Sequence, residues 1–269
     1  MRAPPPDTQE PATRQFLAFW SIFAPFVRPG STESPPVRDD DLTQSDYDHV
    51  LAIMAKAPRA GHVKTRLASV CPSALVVQLY RALIEDTVAL ARAVGVSIAV
   101  VCPAADAEEI TAWLPSDVRV APQRGHGLAD GLTSAFEFFC EPPRRVIAIN
   151  GDSPHLPPAV LESAFSALAD HDLVFGPCDD GGFYLVGATR THAGLFDPQA
   201  MGTGSALDAL IAQTQRLGLS STVTAEHYDV DVPADLARLS SELLTRPERA
   251  PTTAALLAQW PSSPSPAHA

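Results

Sequence analysis

Three short stretches of this chain concentrate residues that can do chemistry. The first runs Lys56-Ala57-Pro58-Arg59-Ala60-Gly61-His62-Val63-Lys64-Thr65-Arg66-Leu67 and packs four Lys or Arg side chains and a glycine into one loop. A phosphate's charge is met by lysine and by the forked donors of arginine, so a local excess of this kind suits a diphosphate. Lys56, Gly61, Lys64, Thr65 and Arg66 are therefore the candidate phosphate-binding residues. The loop does not follow the P-loop pattern, and its spacing serves a solvated basic turn equally well. The second stretch, Asn150-Gly151-Asp152-Ser153-Pro154-His155-Leu156, sets a carboxylate between a glycine and a turn-forming Ser-Pro. Asp152 is placed to take Mg²⁺ or Mn²⁺ through oxygen, and such a metal bridges phosphate oxygens and neutralises charge on a leaving group. Its competing role is to cap a helix starting near Pro157 or Pro158; His155 reads as a surface or capping residue. The third stretch, Gly176-Pro177-Cys178-Asp179-Asp180-Gly181-Gly182-Phe183-Tyr184, puts two acids before two glycines. Such a turn lets a ligand approach the backbone closely, or it is simply a hairpin, for which Asp-Gly is a common signal. Asp180 is the carboxylate here that would bind hydroxyls or act as a base, which makes Asp152 and Asp180 the candidate catalytic residues. Further on, Asp231 of Asp229-Val230-Asp231 can supply a second metal oxygen, and Asp235 reads as structural.

These residues need elements to hold them. From His49 onward, short apolar runs alternate with longer amphipathic stretches, as in a parallel sheet with crossover helices. Val50 to Lys56 predicts a strand. Val76, Leu79, Leu83, Leu90 and Val94 fall at helical spacing within Ser73 to Val94. Strands are expected at Val96 to Cys102 and Val118 to Ala121, and helices at Asp106 to Leu114 and Leu128 to Phe139. Val146 to Asn150 reads as a buried central strand that runs straight into Gly151-Asp152, and in open α/β sheets the ligand crevice lies at such carboxyl ends. A helix near Pro158 to Ala169, two strands flanking the double glycine, and a helix near Ser205 to Leu217 complete the pattern.

The chain has 269 residues, of which 46% are hydrophobic, and a formal charge of -12. That charge repels polyanions and argues against general nucleic-acid or anionic-membrane binding, so any bound phosphate needs a local positive pocket. The four cysteines form no C-x-x-C pair, which fits a reduced cytoplasmic location. Residues 1–46 and 260–269 read as disordered tails around a domain at 47–259. The apolar run from Phe16 to Val27 is broken by Pro25 and falls short of the ~20 residues of a membrane span.

Taken together, the three motifs over His49 to Leu236 resemble the bacterial family of rSAM/selenodomain-associated transferases, or arsenosugar-biosynthesis glycosyltransferases. KAPRAGHVKTRLA is similar to that family's K-x-P-x-x-G-x-V-K-T-R-L, GDSPHL to its G-x-D-x-P-x-L, and GPCDDGGFYLVG to its G-P-x-x-D-G-G-Y-Y-L-I-G. The chain departs from the family at Gln123 to Gly131 and at Met201-Gly202-Thr203, both on the acceptor side. The resemblance implies the GT-A nucleotide-diphospho-sugar transferase fold, a Rossmann-like three-layer α/β/α sandwich with a mostly parallel central sheet. It also implies that Asp152 is the acidic metal ligand, and YDVDVPADL, similar to a D-x-D-T-P-E-D-L ending, puts Asp231 at the second metal position. The expected activity is transfer of a sugar from a nucleotide-diphosphate donor to a small acceptor. A nucleotidylyltransferase using a nucleoside triphosphate is the alternative, since phospholactate guanylyltransferases carry a similar K…K-[ST]-R-L loop. A non-catalytic nucleotide-binding module is a third reading. Nothing in the sequence specifies the oligomeric state.

Overall fold

A computed structural model of the chain describes residues 48–140 and 144–260. The tails expected at 1–46 and 260–269, and the apolar run Phe16 to Val27, lie outside the described residues, apart from Trp260, whose N–H donates to the Leu257 carbonyl. Among the described residues the strands are β1 (His49–Met54), β2 (Ser97–Cys102), β3 (Arg119–Pro122), β4 (Arg145–Asn150), β5 (Leu173–Pro177), β6 (Phe183–Ala188) and β7 (Ser221–Val223). The helices are α1 (Ser73–Val94), α2 (Ala107–Trp113), α3 (Gly127–Phe139), α4 (Pro158–Ala167), α5 (Ala206–Arg216), α6 (Pro233–Thr245) and α7 (Pro251–Ala258).

The strands form one sheet in the order β3-β2-β1-β4-β6-β5-β7. Pairing is parallel throughout except at β6, which runs antiparallel to both β4 and β5. Side chains alternate between faces along a strand, and this alternation builds two cores. Leu51 and Ile53 face Tyr80, Ile84 and Val88 of α1 and Leu161 and Phe165 of α4. Val50 and Ala52 face Leu132, Phe136 and Phe139 of α3 and Leu210 of α5. The result is the expected α/β/α sandwich. Helix α1 ends where Gly95 takes a left-handed φ of 73°, a conformation in which glycine carries no Cβ penalty.

The sequence patterns do not announce the two C-terminal helices. Leu239 and Leu243 of α6, with Ala250, pack against Leu79 and Leu83 on the outer side of α1. The buried Asp86 carboxylate accepts the Thr252 and Thr253 N–H groups at 2.9 and 2.7 Å, satisfying donors that the first turn of α7 leaves open. No helix among the described residues is long and apolar enough to cross a membrane.

Candidate functional site

The first strand stops two residues short of the expected Lys56, and the backbone hydrogen bonds show why. Ala55 N–H still donates to Val101 of β2, but Lys56 N–H turns to the Tyr80 hydroxyl at 2.9 Å and Ala57 N–H to the Asp106 carboxylate at 3.0 Å. The basic loop is thus anchored to α1 and to the start of α2. Its four Lys or Arg side chains then part company. Arg59 binds Asp106 and Glu109, both at 2.7 Å, and does not line the cleft. Lys56, Lys64 and Arg66 do line it. Gly61 and Thr65 lie exposed, outside the lining. Gly61 supplies a left-handed φ of 76° to the turn, and Thr65 opens a 3₁₀ turn, Thr65–Ser69.

Asp152 follows β4 directly. Gly151 packs closely against α1: a Cβ there would lie 2.1 Å from Ile84 Cδ1, so a larger residue would have to displace that side chain. Asp152 does not cap α4: the cap position is Pro157, with no side-chain hydrogen bond to the helix. Instead its backbone carbonyl accepts Val230 N–H at 3.1 Å, and the Ser153 hydroxyl donates to the Tyr228 carbonyl at 2.9 Å. These two bonds lay residues 228–230 beside the end of β4 and bring Asp229 and Asp231 to Asp152. Asp235 locks the far side by accepting the N–H groups of Asp231 and Val232 at 2.9 and 2.7 Å. Its structural role is a backbone clamp at the start of α6.

The carboxylates gather around one cation. Lys64 Nζ lies 2.7 Å from Asp152 Oδ2 and 3.5 Å from Asp231 Oδ1, with its side chain only 5% exposed. Arg66 Nη1 pairs with the other oxygen of Asp231. Lys64 is the one described non-glycine residue in the left-handed region, at φ 46°, and such strain persists only where surroundings over-determine it. Burial alone would lower the Lys64 pKa, but Asp152, Asp231 and Asp229 together hold it above the usual lysine range. Asp229 lines the same cleft. Burial pushes its carboxyl up to about 6 against the opposing pull of Lys64, with Asp152 and Asp180 adding repulsion. Two side chains that sequence patterns did not mark therefore belong to the site: Asp229, whose only signal was its place two residues before Asp231, and Tyr80, hidden in the apolar face of a helix.

The opposite wall is the hairpin between β5 and β6. It is a turn by construction, because Asp180 Oδ1 accepts Gly182 N–H at 2.9 Å, and Asp180 still lines the cleft. Asp179 points elsewhere and pairs with Arg238 at 2.9 Å. Gly181, at φ 86°, closes against the next loop, where a Cβ would sit 2.0 Å from the Gly204 carbonyl oxygen. The cleft enclosed between these walls measures about 670 Å³. His155 lies outside it and is buried, not on the surface. Its ring packs tilted against Tyr228 with centroids 4.2 Å apart, and burial drives its pKa down to about 3.

Residues 87–203 match a family described as "Uncharacterized protein conserved in bacteria (DUF2064)". A crystal structure from Desulfovibrio desulfuricans G20, provisionally assigned as a nucleotide-diphospho-sugar transferase, is similar at 26% identity and a TM-score of 0.70, over 79% of this chain and 94% of that one. A nucleotidyl transferase from Methanothermobacter shares the fold at 18% identity and a TM-score of 0.50, over 73% of this chain and 98% of that one. No curated protein gives a significant match. The fold is that of the nucleotide-diphospho-sugar transferases.

Proposed function

We propose that the chain is a divalent-metal-dependent glycosyltransferase that takes a sugar from a nucleotide-diphosphate donor and passes it to a small acceptor, as in the rSAM/selenodomain-associated transferases its motifs resemble. The observation that carries this reading is the convergence of Asp152 and Asp231 on one buried cation, with Asp229 lining the same cleft. An all-oxygen donor set suits Mg²⁺ or Mn²⁺, and Mg²⁺ characteristically uses one or two carboxylates with phosphate and water completing its shell. Among the described residues no cluster of three ligating side chains is ready-made, so the reading relies on Asp152 and Asp231, with Asp229 lining the same cleft. A bound metal would neutralise diphosphate charge as the nucleotide leaves.

The chain's own residues supply the rest. Lys56 and Arg66 meet phosphate oxygens from the β1 side of the cleft. Asp180, across the cleft, binds acceptor or sugar hydroxyls and is the candidate base. The backbone of the Gly181–Gly204 contact keeps that wall closed. A reduced cytoplasmic location goes with this reading, supported by four unpaired cysteines. One feature favours nucleotidyl transfer as the second reading: Lys56 is exposed and the Arg66 side chain, though paired with Asp231, is 70% exposed, so both can reach a third phosphate. Product analysis separates the two. With the donor found in a panel of nucleotide sugars and nucleoside triphosphates, glycosyl transfer releases nucleoside diphosphate and nucleotidyl transfer releases pyrophosphate. Absence of both products from every combination of donor and metal contradicts an enzymatic role.

A further inference from the structure

The buried position of Lys64 conflicts with its being simply a phosphate ligand. Its ammonium sits 2.7 Å from Asp152 and 3.5 Å from Asp231, on a side chain with almost no solvent exposure, while Arg66 covers the outer oxygen of Asp231. Those are the same carboxylates proposed above to hold a metal. Two cations cannot share these oxygens without strong repulsion, because like charges at contact distance in a low-dielectric cleft cost far more than in water. The loop that carries Lys64 can let it go. Lys64 holds an uncommon left-handed φ of 46° with Gly61 at φ 76° three residues earlier, and Thr65 and Arg66 beyond it are exposed.

We propose that Lys64 is a tethered counter-ion for the carboxylate cluster, which a divalent metal must displace and which the diphosphate then receives. The inference rests on the metal reading of the site and adds an order to it: bare metal binds weakly, and metal and diphosphate bind with positive coupling. The cluster of Asp152, Asp229 and Asp231 never stands uncompensated. It is paired with Lys64 in the free protein and with metal in the loaded one, when the released ammonium gains phosphate oxygens in exchange for carboxylate ones. A ligand that binds both states equally would produce no such coupling.

The test uses the full chain with Mn²⁺ and inorganic pyrophosphate as probes. Free Mn²⁺ measured by electron paramagnetic resonance should show Lys64→Met binding bare Mn²⁺ about tenfold or more tighter than wild type, the worth of one displaced charge-assisted contact. In thermal melts, wild type should gain more from Mn²⁺ and pyrophosphate together than from the two separately, and Lys64→Met should show a smaller excess, keeping only the part that direct metal–phosphate contact supplies. A variant that fails to fold leaves a measurement on wild type. Amine acylation read by mass spectrometry should find Lys64 protected in metal-free protein and more reactive once Mn²⁺ is bound. Equal or weaker Mn²⁺ binding by a folded Lys64→Met, or unchanged Lys64 acylation at saturating Mn²⁺, overturns the displacement while leaving the metal reading standing. If neither protein takes up Mn²⁺ even with pyrophosphate, the metal reading falls, and this inference falls with it.

Discussion

Lys64 and Arg66 are two residues apart, yet one side chain is 5% exposed and the other 70%. An exposed ion pair such as Arg66 with Asp231 adds little to stability, so Arg66 is available to a ligand at small cost to the fold, and so is the exposed Lys56. Arg66→Ala and Lys56→Ala should each weaken binding of the nucleotide donor by roughly tenfold to a hundredfold, the loss of one charged hydrogen bond, with melting points within a degree or two of wild type. Calorimetric titration with the donor checks this, and unchanged affinity in both variants would remove the phosphate role. Asp229 makes a pH-dependent prediction. Its folded pKa is about 6, whereas an unfolded aspartate titrates near ~3.9. The folded state therefore keeps the proton longer, and this group's contribution declines as pH rises from about 4 to about 6 and stays flat above. Without metal, Asp229→Asn should be more stable than wild type at pH 7, by on the order of 2 kcal/mol, and the gap should vanish below pH 4. Urea unfolding at the two pH values decides it: a variant that is less stable at pH 7 would mean that ionised Asp229 is held chiefly by Lys64.

Among the elements, the β5–β6 hairpin is where local chemistry and the site meet most closely. Gly181 is required there twice, for its φ of 86° and for the space taken by the Gly204 carbonyl. Gly181→Ala should push the hairpin tip away from the loop at 202–204, costing about 1 kcal/mol or more in stability. Turnover should fall much further than donor affinity if, as proposed, the hairpin faces the acceptor. Steady-state kinetics beside a melt would show it; loss of donor binding in place of turnover would put the hairpin on the nucleotide side. Elements with strong periodicity were legible in the sequence. Helix α1 runs from Ser73 to Val94 as the spacing of Val76, Leu79, Leu83, Leu90 and Val94 predicts, and the end of β4 at Asn150 points Asp152 into the cleft as an open sheet requires. Elements stabilised by contacts distant in sequence were not legible. Strand β7 has three residues, α7 depends on a cap from Asp86 more than 160 residues away, and the early end of β1 depends on Tyr80 and Asp106. The helix-cap role open to Asp152 is excluded by the structure, where Pro157 holds the cap position of α4 and the Asp152 carboxylate faces Lys64.

At the scale of the whole molecule, a chain of net charge -12 holds its candidate phosphate site beside three carboxylates. A diphosphate entering that cleft meets repulsion from the protein as a whole and from Asp152, Asp229 and Asp231 nearby, and a divalent cation reverses the local sign. The central claim is therefore that nucleotide binding is conditional on metal and that the condition acts through Asp152. It is tested most directly by thermal melts of wild type and Asp152→Asn against a panel of nucleoside diphosphates, triphosphates and nucleotide sugars, each with Mn²⁺ and again after chelation. A ligand at about a hundred times its dissociation constant stabilises by ~2.7 kcal/mol, or roughly 5 to 10 °C for a chain of this size. The account predicts a shift of that order in wild type with Mn²⁺, none after chelation, and none for Asp152→Asn under either condition. A shift that survives chelation, or one that Asp152→Asn retains in full, would contradict it.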